Sequence, residues 1–408
     1  MKHFSGIAQL LSLSLFLAAC GAAPAVPSVP ESIPALTEAE TTAAFTEPEL
    51  SPEEQLLRTM SLREKVGQLF IIRPDALDLT IPFENLDNSM AAGKTELTPA
   101  MEETLTRYPV GGFIHFKKNI VDPDQISLFN RELSRSLRIS PFLAVDEEGG
   151  MVARLANSPA FHLPRFGSAA EVGAAGPEAA QEMGYAIGSY LRDYGFNMDF
   201  APVADVNTNP RNPVIGSRAF SSDPRQAALS ARAMADGLRR CNILPVFKHF
   251  PGHGDTAEDS HQKTAVSPRT SSQLLSCEWI PFMETEDREA IMVGHIALPE
   301  VTGDGTPATF SAAVVTDALR GTLHYQGLII TDSLSMGAVI SQMDAGEAAL
   351  QALEAGCDIL LMPASLPEAF DAVLQAVEAG SIEEQTLDRT VLRILRAKLD
   401  YHIVQSAE

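Results

Sequence analysis

The chain has 408 residues, 45% of them hydrophobic and 20% charged, which is the composition of a folded protein with a substantial core and excludes a low-complexity or disordered one. Its 53 acidic residues against 30 basic ones leave a formal net charge of -23, a surface that repels phosphate backbones and argues against nucleic-acid binding. Four cysteines are too few for a disulfide-built scaffold.

The N-terminus reads as an address. Lys2 and His3 precede an apolar run of 13 residues, 7–19. A free helix needs ~20 apolar residues to span a bilayer, so this run fits a signal-peptide core instead. It closes in Leu17-Ala18-Ala19-Cys20-Gly21. Small residues before a cysteine at this place resemble a bacterial lipoprotein signal. That resemblance implies cleavage of residues 1–19, lipid attachment at Cys20, and a protein outside the cytoplasm, anchored to the cell membrane without spanning it. Residues 20–52 then read as a tether. They hold six prolines, and between 21 and 57 there are seven Glu and no Lys or Arg. Such a segment buries too little apolar surface to offset its ordering entropy. Cys241, Cys277 and Cys357 show no C-x-x-C spacing and read as buried or free thiols.

From 53 to 404 the chain counts out as strand–helix units. Continuous apolar runs of strand length fall at 66–72, 111–117, 142–146, 198–206, 243–250, 291–296, 327–332 and 357–362. Continuous rather than alternating runs predict strands covered on both faces. Helical spacing appears at 122–137, 174–194, 224–240, 270–289, 311–323, 344–355, 367–379 and 387–401. Eight such units predict a single (β/α)8 barrel of the TIM type, with a doubly wound open sheet as the structural alternative. The stretch 73–108 is the longest connection, an excursion within one domain.

Polar residues gather where the strands end, which is where such barrels carry their active sites. Strand three runs into Asp146-Glu147-Glu148-Gly149-Gly150. Strand four leads to Asp205, Asn207, Asn209 and Arg218. Strand five ends at Lys248-His249, strand six carries His295, and strand seven Asp332. Charges placed directly after buried apolar strands are costly unless they face a paired, solvated site.

The densest cluster is the loop from Lys248 to His261, KHFPGHGDTAEDSH. Asp259 and His261 are two apart and share a face of a locally extended chain. A carboxylate beside an imidazole raises its basicity and prepares a general acid/base near neutral pH. A metal site built from His249, His253, Asp255, Asp259 and His261 is the rival chemistry, although the loop lacks H-E-x-x-H spacing and a cysteine ligand. His249 and His253 can also serve only to brace the loop. Asp332, before Ser333-Leu334-Ser335-Met336, is either a helix cap or a carboxylate nucleophile.

The loop closely resembles the signature of β-N-acetylglucosaminidases in family 3 of the glycoside hydrolases. Further matching pieces are Val110-Gly111-Gly112-Phe113-Ile114, Val145-Asp146-x-Glu148-Gly149-Gly150, Asn212-Pro213-Val214-Ile215-Gly216-x-Arg218, Thr331-Asp332-Ser333-Leu334-Ser335-Met336 and Arg393-Ile394-Leu395. The resemblance implies a (β/α)8 fold and a retaining two-step hydrolysis, in which Asp332 forms a glycosyl–enzyme and His261, paired with Asp259, serves as acid and then base. It implies that Asp146, Arg154, Arg218, Lys248 and His249 hold the terminal N-acetylglucosamine. It implies no metal or organic cofactor. Met151 stands where the family commonly has Arg, and Glu147 and Ala153 where it commonly has Gln.

The expected substrate is a saccharide ending in N-acetylglucosamine, from peptidoglycan fragments in which it is linked to N-acetylmuramic acid. The expected state is a monomer whose other partner is the membrane. A phosphorylase or β-glucosidase of the same family, and a solute-binding lipoprotein, are the alternatives.

Overall fold

The structure is a computed structural model that describes residues 50–257 and 264–405. The expectations placed on residues 1–49, the signal, Cys20 and most of the tether, and those placed on Asp259 and His261, lie outside the described residues.

Eight parallel strands form one sheet: β1 (Phe70–Ile72), β2 (Gly112–His115), β3 (Phe142–Val145), β4 (Met198–Asp199), β5 (Leu244–Phe250), β6 (Ala290–Val293), β7 (Leu328–Thr331) and β8 (Leu360–Leu361). The hydrogen-bonded order runs β7-β6-β5-β4-β3-β2-β1-β8. A parallel bridge from Ile330 to Ile359 joins the two ends, so the sheet closes into the expected (β/α)8 barrel. In register, Phe113 lies beside Leu143, Val145 beside Asp199, and Ile291 beside Phe247, and the β5–β6 pairing shifts between Phe247 and Phe250. Strand residues are buried throughout, which is why their sequence runs are continuously apolar.

Helices cover the outside, and their ends follow local chemistry. Asp122 caps Pro123–Arg135, Asp223 caps Pro224–Arg239, and Asp344 caps Ala345–Ala355, each carboxylate accepting an otherwise orphan backbone N–H. The helices Pro177–Asp193 and Pro224–Arg239 approach so closely that a Cβ on Gly184 would lie 2.1 Å from the Met234 carbonyl oxygen. Only glycine fits there.

Several elements differ from the sequence expectation. Residues 66–68 are the last turn of helix Leu62–Gln68, because Ser61 and Glu64 form a capping box that starts a helix before the strand. The run 198–206 keeps only two residues of regular strand, since Pro202 has no N–H for the ladder. After β6, Ile296–Ala297 leaves the barrel and pairs with Ala265–Val266. Residues 270–289 hold two short helices, Ser271–Leu275 and Ile280–Met283, rather than one. The stretch 174–194 divides at Gly176, whose φ of 109° no helix accommodates. Ala313–Thr322 is a π-helix. Helix Pro52–Arg58 begins one residue before the expected domain edge, its Ser51 capped reciprocally by Glu54, and Glu53 pairs with Arg396 of the last helix, Glu384–Asp400.

Beneath the barrel, buried ions tie the last helix to the strands. Asp358, fully buried, receives Arg320 at 2.6 Å and Arg393 at 2.6 Å, and its second task is the backbone N–H of Ile329. Lys398 is also fully buried, donating to Gln68 Oε1 at 2.7 Å and the Gly111 carbonyl at 3.0 Å. Burial pushes its ammonium from 10.5 down to about 7. The two N–H bonds of a neutral amine match those two acceptors. Folding therefore carries the cost of burying a cation below pH 7, and that cost disappears as pH rises toward 10.5. The expected outcome is that the stability of the protein relative to Lys398→Met rises between pH 7 and pH 9.5, by up to about 1.4 kcal/mol per pH unit. Urea unfolding across that range checks it, and a pH-independent difference contradicts it.

Candidate active site

The C-terminal ends of the strands surround a cavity of about 780 Å³. Asp146 follows β3, and the next residues fold into a small hairpin, Glu147–Gly149 against Val152–Ala153, with Gly149 and Gly150 both at positive φ. The hairpin brings Arg154 back beside Asp146, with Nη2 3.3 Å from Oδ2. Lys248, on β5 and 2% exposed, sends its ammonium between two carboxylates, 2.8 Å from Asp146 Oδ1 and 2.7 Å from Glu148 Oε1. Arg218 then grips Glu148 with two parallel bonds, at 2.9 and 2.7 Å. Asp146, Arg154, Arg218, Lys248 and His249 all line the same cavity.

The electrostatics follow from these pairings. Burial would raise the Asp146 carboxyl, but Lys248 and Arg154 outweigh it and hold it well below the usual range. Burial likewise opposes ionisation of Glu148, and Lys248 and Arg218 prevail and bring it to about 2. Lys248 is held charged by the same pair, against its own burial. These groups are ionised at neutral pH. They can accept and donate hydrogen bonds to sugar hydroxyls but cannot deliver a proton.

His249 and His253 divide the two roles the sequence left open. Nδ1 of His249 lies 2.8 Å from Asp205 Oδ2, so the carboxylate fixes its tautomer with the proton on Nδ1, and the ring lines the cavity. The other oxygen of Asp205 takes the backbone N–H of His253 at 2.6 Å. His253 is 2% exposed, with Nδ1 2.7 Å from Thr256 Oγ1, and burial lowers its pKa. It braces the loop and contributes to the cavity wall. Asp255, one of the rival metal ligands, is given to Ser267 and Arg269.

Asp332 follows β7 and reaches the cavity wall. Its Oδ1 accepts the N–H of Ser333 at 2.7 Å, and the next helix, Gly337–Ile340, starts only after Met336. The cap reading is thus corrected: Ser333-Leu334-Ser335 form a turn, held by the bond between the Ser333 and Ser335 hydroxyls at 2.8 Å. His295, named with the strand ends, lies fully buried outside the cavity lining. Its Nε2 is 2.9 Å from the Ser333 carbonyl, so it supports the turn after Asp332. Asn209, expected at the mouth, instead donates to the Thr256 carbonyl at 2.9 Å and braces the loop.

Sequence reasoning left Glu148 and Asp205 out of the site residues. The signal for Glu148 was present, since residues two apart in an extended chain share a face, and Glu148 stands two beyond Asp146. Asp205 was named among the charges after the strands, but its role had no local signal, because its partner His249 is 44 residues away. The excursion after β1 supplies another wall: Phe83 and Asp87 line the cavity, and Asp87 is paired with Arg73 and bonded to Ser335. Met151 sits on the rim, 78% exposed, and Glu147 points inward, accepting the N–H groups of Leu155 and Ala156 and the Tyr190 hydroxyl, which steadies the segment after Arg154.

A closed barrel with a mouth of paired charges around a cavity is compatible with many chemistries, and comparison with known proteins supplies the class. Residues 61–397 match the family described as "Glycosyl hydrolase family 3 N terminal domain", and the chain belongs to that family. The protein is a glycoside hydrolase. A "Beta-hexosaminidase" of Methylococcus capsulatus is 36% identical over 301 residues, covering 73% of this chain and 88% of its own. A "Beta-hexosaminidase LpqI" of Mycobacterium tuberculosis is 32% identical over 344 residues, covering 78% and 83%. Among solved structures, a family 3 β-N-acetylglucosaminidase from Paenibacillus sp. str. FPU-7 superimposes with a TM-score of 0.76 at 35% identity. That match covers 86% of this chain, which spans 64% of the Paenibacillus chain.

Lys248 is the shared counter-ion of buried Glu148 and half-buried Asp146, so Lys248→Met is expected to cost about 3–5 kcal/mol of stability at pH 7. The Glu148 contribution is fully present above 4.5 and is lost as pH falls toward about 2, so the difference between the two proteins narrows over that range. Urea unfolding at pH 7 and pH 3 checks both, and an equal gap at the two values contradicts the pairing.

Proposed function

We propose that the protein is a retaining exo-β-N-acetylglucosaminidase. A general acid must hold a proton near neutral pH. Of the four carboxylates lining the cavity among the described residues, Asp87, Asp146 and Glu148 are each committed to a lining cation, Asp146 and Glu148 are held ionised, and Asp332 is the nucleophile of this reading. This observation carries the reading, because it leaves the acid to another residue type. His261, with Asp259 to orient it, is the group of this sequence suited to the task. Asp332 attacks the anomeric carbon while His261 gives its proton to the departing oxygen. The resulting glycosyl–enzyme is cleaved by water, which His261 deprotonates, and the Asp332 carboxylate is restored. Asp146, Arg154, Arg218, Lys248 and His249 hold the terminal sugar. The names of the β-hexosaminidase relatives support the acetamido sugar as substrate.

The finer substrate in this proposal is a peptidoglycan fragment with N-acetylglucosamine linked to N-acetylmuramic acid. The lipobox-like Cys20 and the Pro- and Glu-rich stretch behind it support a protein anchored outside the cytoplasm, within reach of such fragments.

The test compares aryl β-N-acetylglucosaminide with aryl β-glucoside, each with and without phosphate. Phosphate-independent release from the first alone is expected. Preference for the glucoside moves the assignment to a β-glucosidase, and dependence on phosphate moves it to a phosphorylase. Asp332→Asn is expected to abolish turnover, and an active Asp332→Asn enzyme removes the nucleophile assignment. Replacing His261 is expected to cost about 10²–10⁴-fold on substrates with poor leaving groups and less on activated aryl glycosides.

A further inference from the structure

The cavity lining inverts the usual order of polarity. Its ions lie inward: Lys248 and Glu148 are buried, and Asp146, Arg154 and Arg218 are half-buried. Among the described residues that line the cavity, the exposed ones are Asp87, Met151, Pro213 and Ile340. Asp87 is given to Arg73 and to the Ser335 hydroxyl at 3.2 Å. The other three are apolar, with Met151 at 78% and Ile340 at 41% exposure. They come from three separate elements: the hairpin after β3, the loop after β4, and the helix Gly337–Ile340 that follows Asp332. Half-buried Val152 and Val214 stand beside two of them in the lining.

One exposed apolar side chain on a surface needs no explanation. Several that converge on one mouth form a patch of the kind that meets a ligand. The patch is also held in place. Gly149 and Gly150 turn the hairpin at φ of 85° and 57°, and Asn157 Nδ2 donates to the Gly150 carbonyl at 2.8 Å, so Met151 stands on a fixed turn. Asn212 Oδ1 accepts the N–H groups of Val214 and Ile215 at 2.9 and 2.7 Å, which fixes the loop that carries Pro213. Burial within the chain does not account for Met151, since most of its surface faces water. An unbranched thioether there adapts to apolar shapes brought to it.

We propose that Met151, Pro213 and Ile340 form the leaving-group subsite, and that it takes a leaving group with an apolar face. This rests on the reading of the protein as an exo-acting N-acetylglucosaminidase: the terminal sugar then occupies the charged interior, and whatever lies beyond the cleaved bond faces the exposed rim. Contact there removes apolar surface of both partners from water. In the proposed peptidoglycan fragment the matching feature is the lactyl ether of N-acetylmuramic acid, a methyl-bearing group that N-acetylglucosamine lacks. Met151, with the most surface to offer, sets the preference.

The experiment uses the full chain and the methyl, butyl and hexyl β-N-acetylglucosaminides. Their leaving alcohols have closely similar acidity, so the demand on the general acid is the same and only the apolar contact changes. In the unaltered protein kcat/KM is expected to rise about 10-fold from methyl to hexyl. Met151→Ser and Ile340→Ser, on exposed positions of two different elements, are each expected to reduce that ratio to about 3-fold or less. A merely structural defect lowers all three rates together and leaves the ratio intact. A flat series in the unaltered protein, or a steep one that neither substitution alters, overturns the subsite. A second pair of substrates reads the natural leaving group: N-acetylglucosamine β-1,4-linked to N-acetylmuramic acid, and the β-1,4-linked N-acetylglucosamine disaccharide. Faster turnover of the first, lost in Met151→Ser, is expected. Equal use of the two, or preference for the second, overturns the lactyl assignment. If none of the N-acetylglucosaminides is cleaved, the reading of the protein as an N-acetylglucosaminidase fails; if all are cleaved at one rate, the subsite alone fails.

Discussion

The mouth of the barrel depends on one buried cation. Lys248 leaves β5 with its ammonium inside the protein and satisfies Asp146 and Glu148, which reach it from the turn after β3. Two carboxylates so close would otherwise repel, and one would take up a proton. With the cation between them both stay ionised, and Arg154 and Arg218 add a second layer of donors around them. The result is a patch of alternating acceptors and donors held by ion pairs, the kind of preorganised surface that the proposed binding of sugar hydroxyls calls for.

Asp205 extends this order from the strands into the loops. One oxygen orients His249 at the cavity, and the other holds the backbone of His253. Asn209 and Asn212 hold the carbonyls of the same loop. Opposite charges and amides from the region after β4 therefore shape the loop after β5. On the other side, His295 and the Ser333–Ser335 turn hold the backbone that presents Asp332. Asp146, Lys248, His249 and Asp332 of the proposed chemistry stand at strand ends, and each is bonded to a neighbouring group.

The barrel was legible because a parallel strand buried on both faces must be apolar at every position, and eight such runs stand out in the chain. The helix starts read at 122, 224 and 344 hold to within a residue, because the caps there, Asp122, Asp223 and Asp344, act through purely local bonds. What was not legible depends on partners distant in sequence. The departure of Ile296–Ala297 from the barrel and the division of residues 270–289 follow from pairing and packing that no local pattern records. The site shows the same division. Asp146, Lys248 and Asp332 were readable as charges after apolar strands. The roles of Asp205, His295 and Asp255 were not, because each is defined by a bond to a residue on another element.

The same device, a charge taken out of water and given partners, serves opposite ends at the two faces of the barrel. At the N-terminal face Asp358 is enclosed by Arg320, Arg393 and a backbone N–H, and Lys398 by a side-chain amide and a carbonyl. Those groups have no access to a cavity of the active site, and their bonds tie the last helix to the strands. At the C-terminal face Asp146, Arg154, Arg218 and Lys248 are paired just as closely, but they line 780 Å³ of open space. A carboxylate accepts at more positions than one cation can fill, and a guanidinium has five donors. The pairs at the mouth thus keep bonding capacity on the side that faces the cavity. That difference in exposure, rather than in residue type, makes one face a clamp and the other a site able to hold a saccharide.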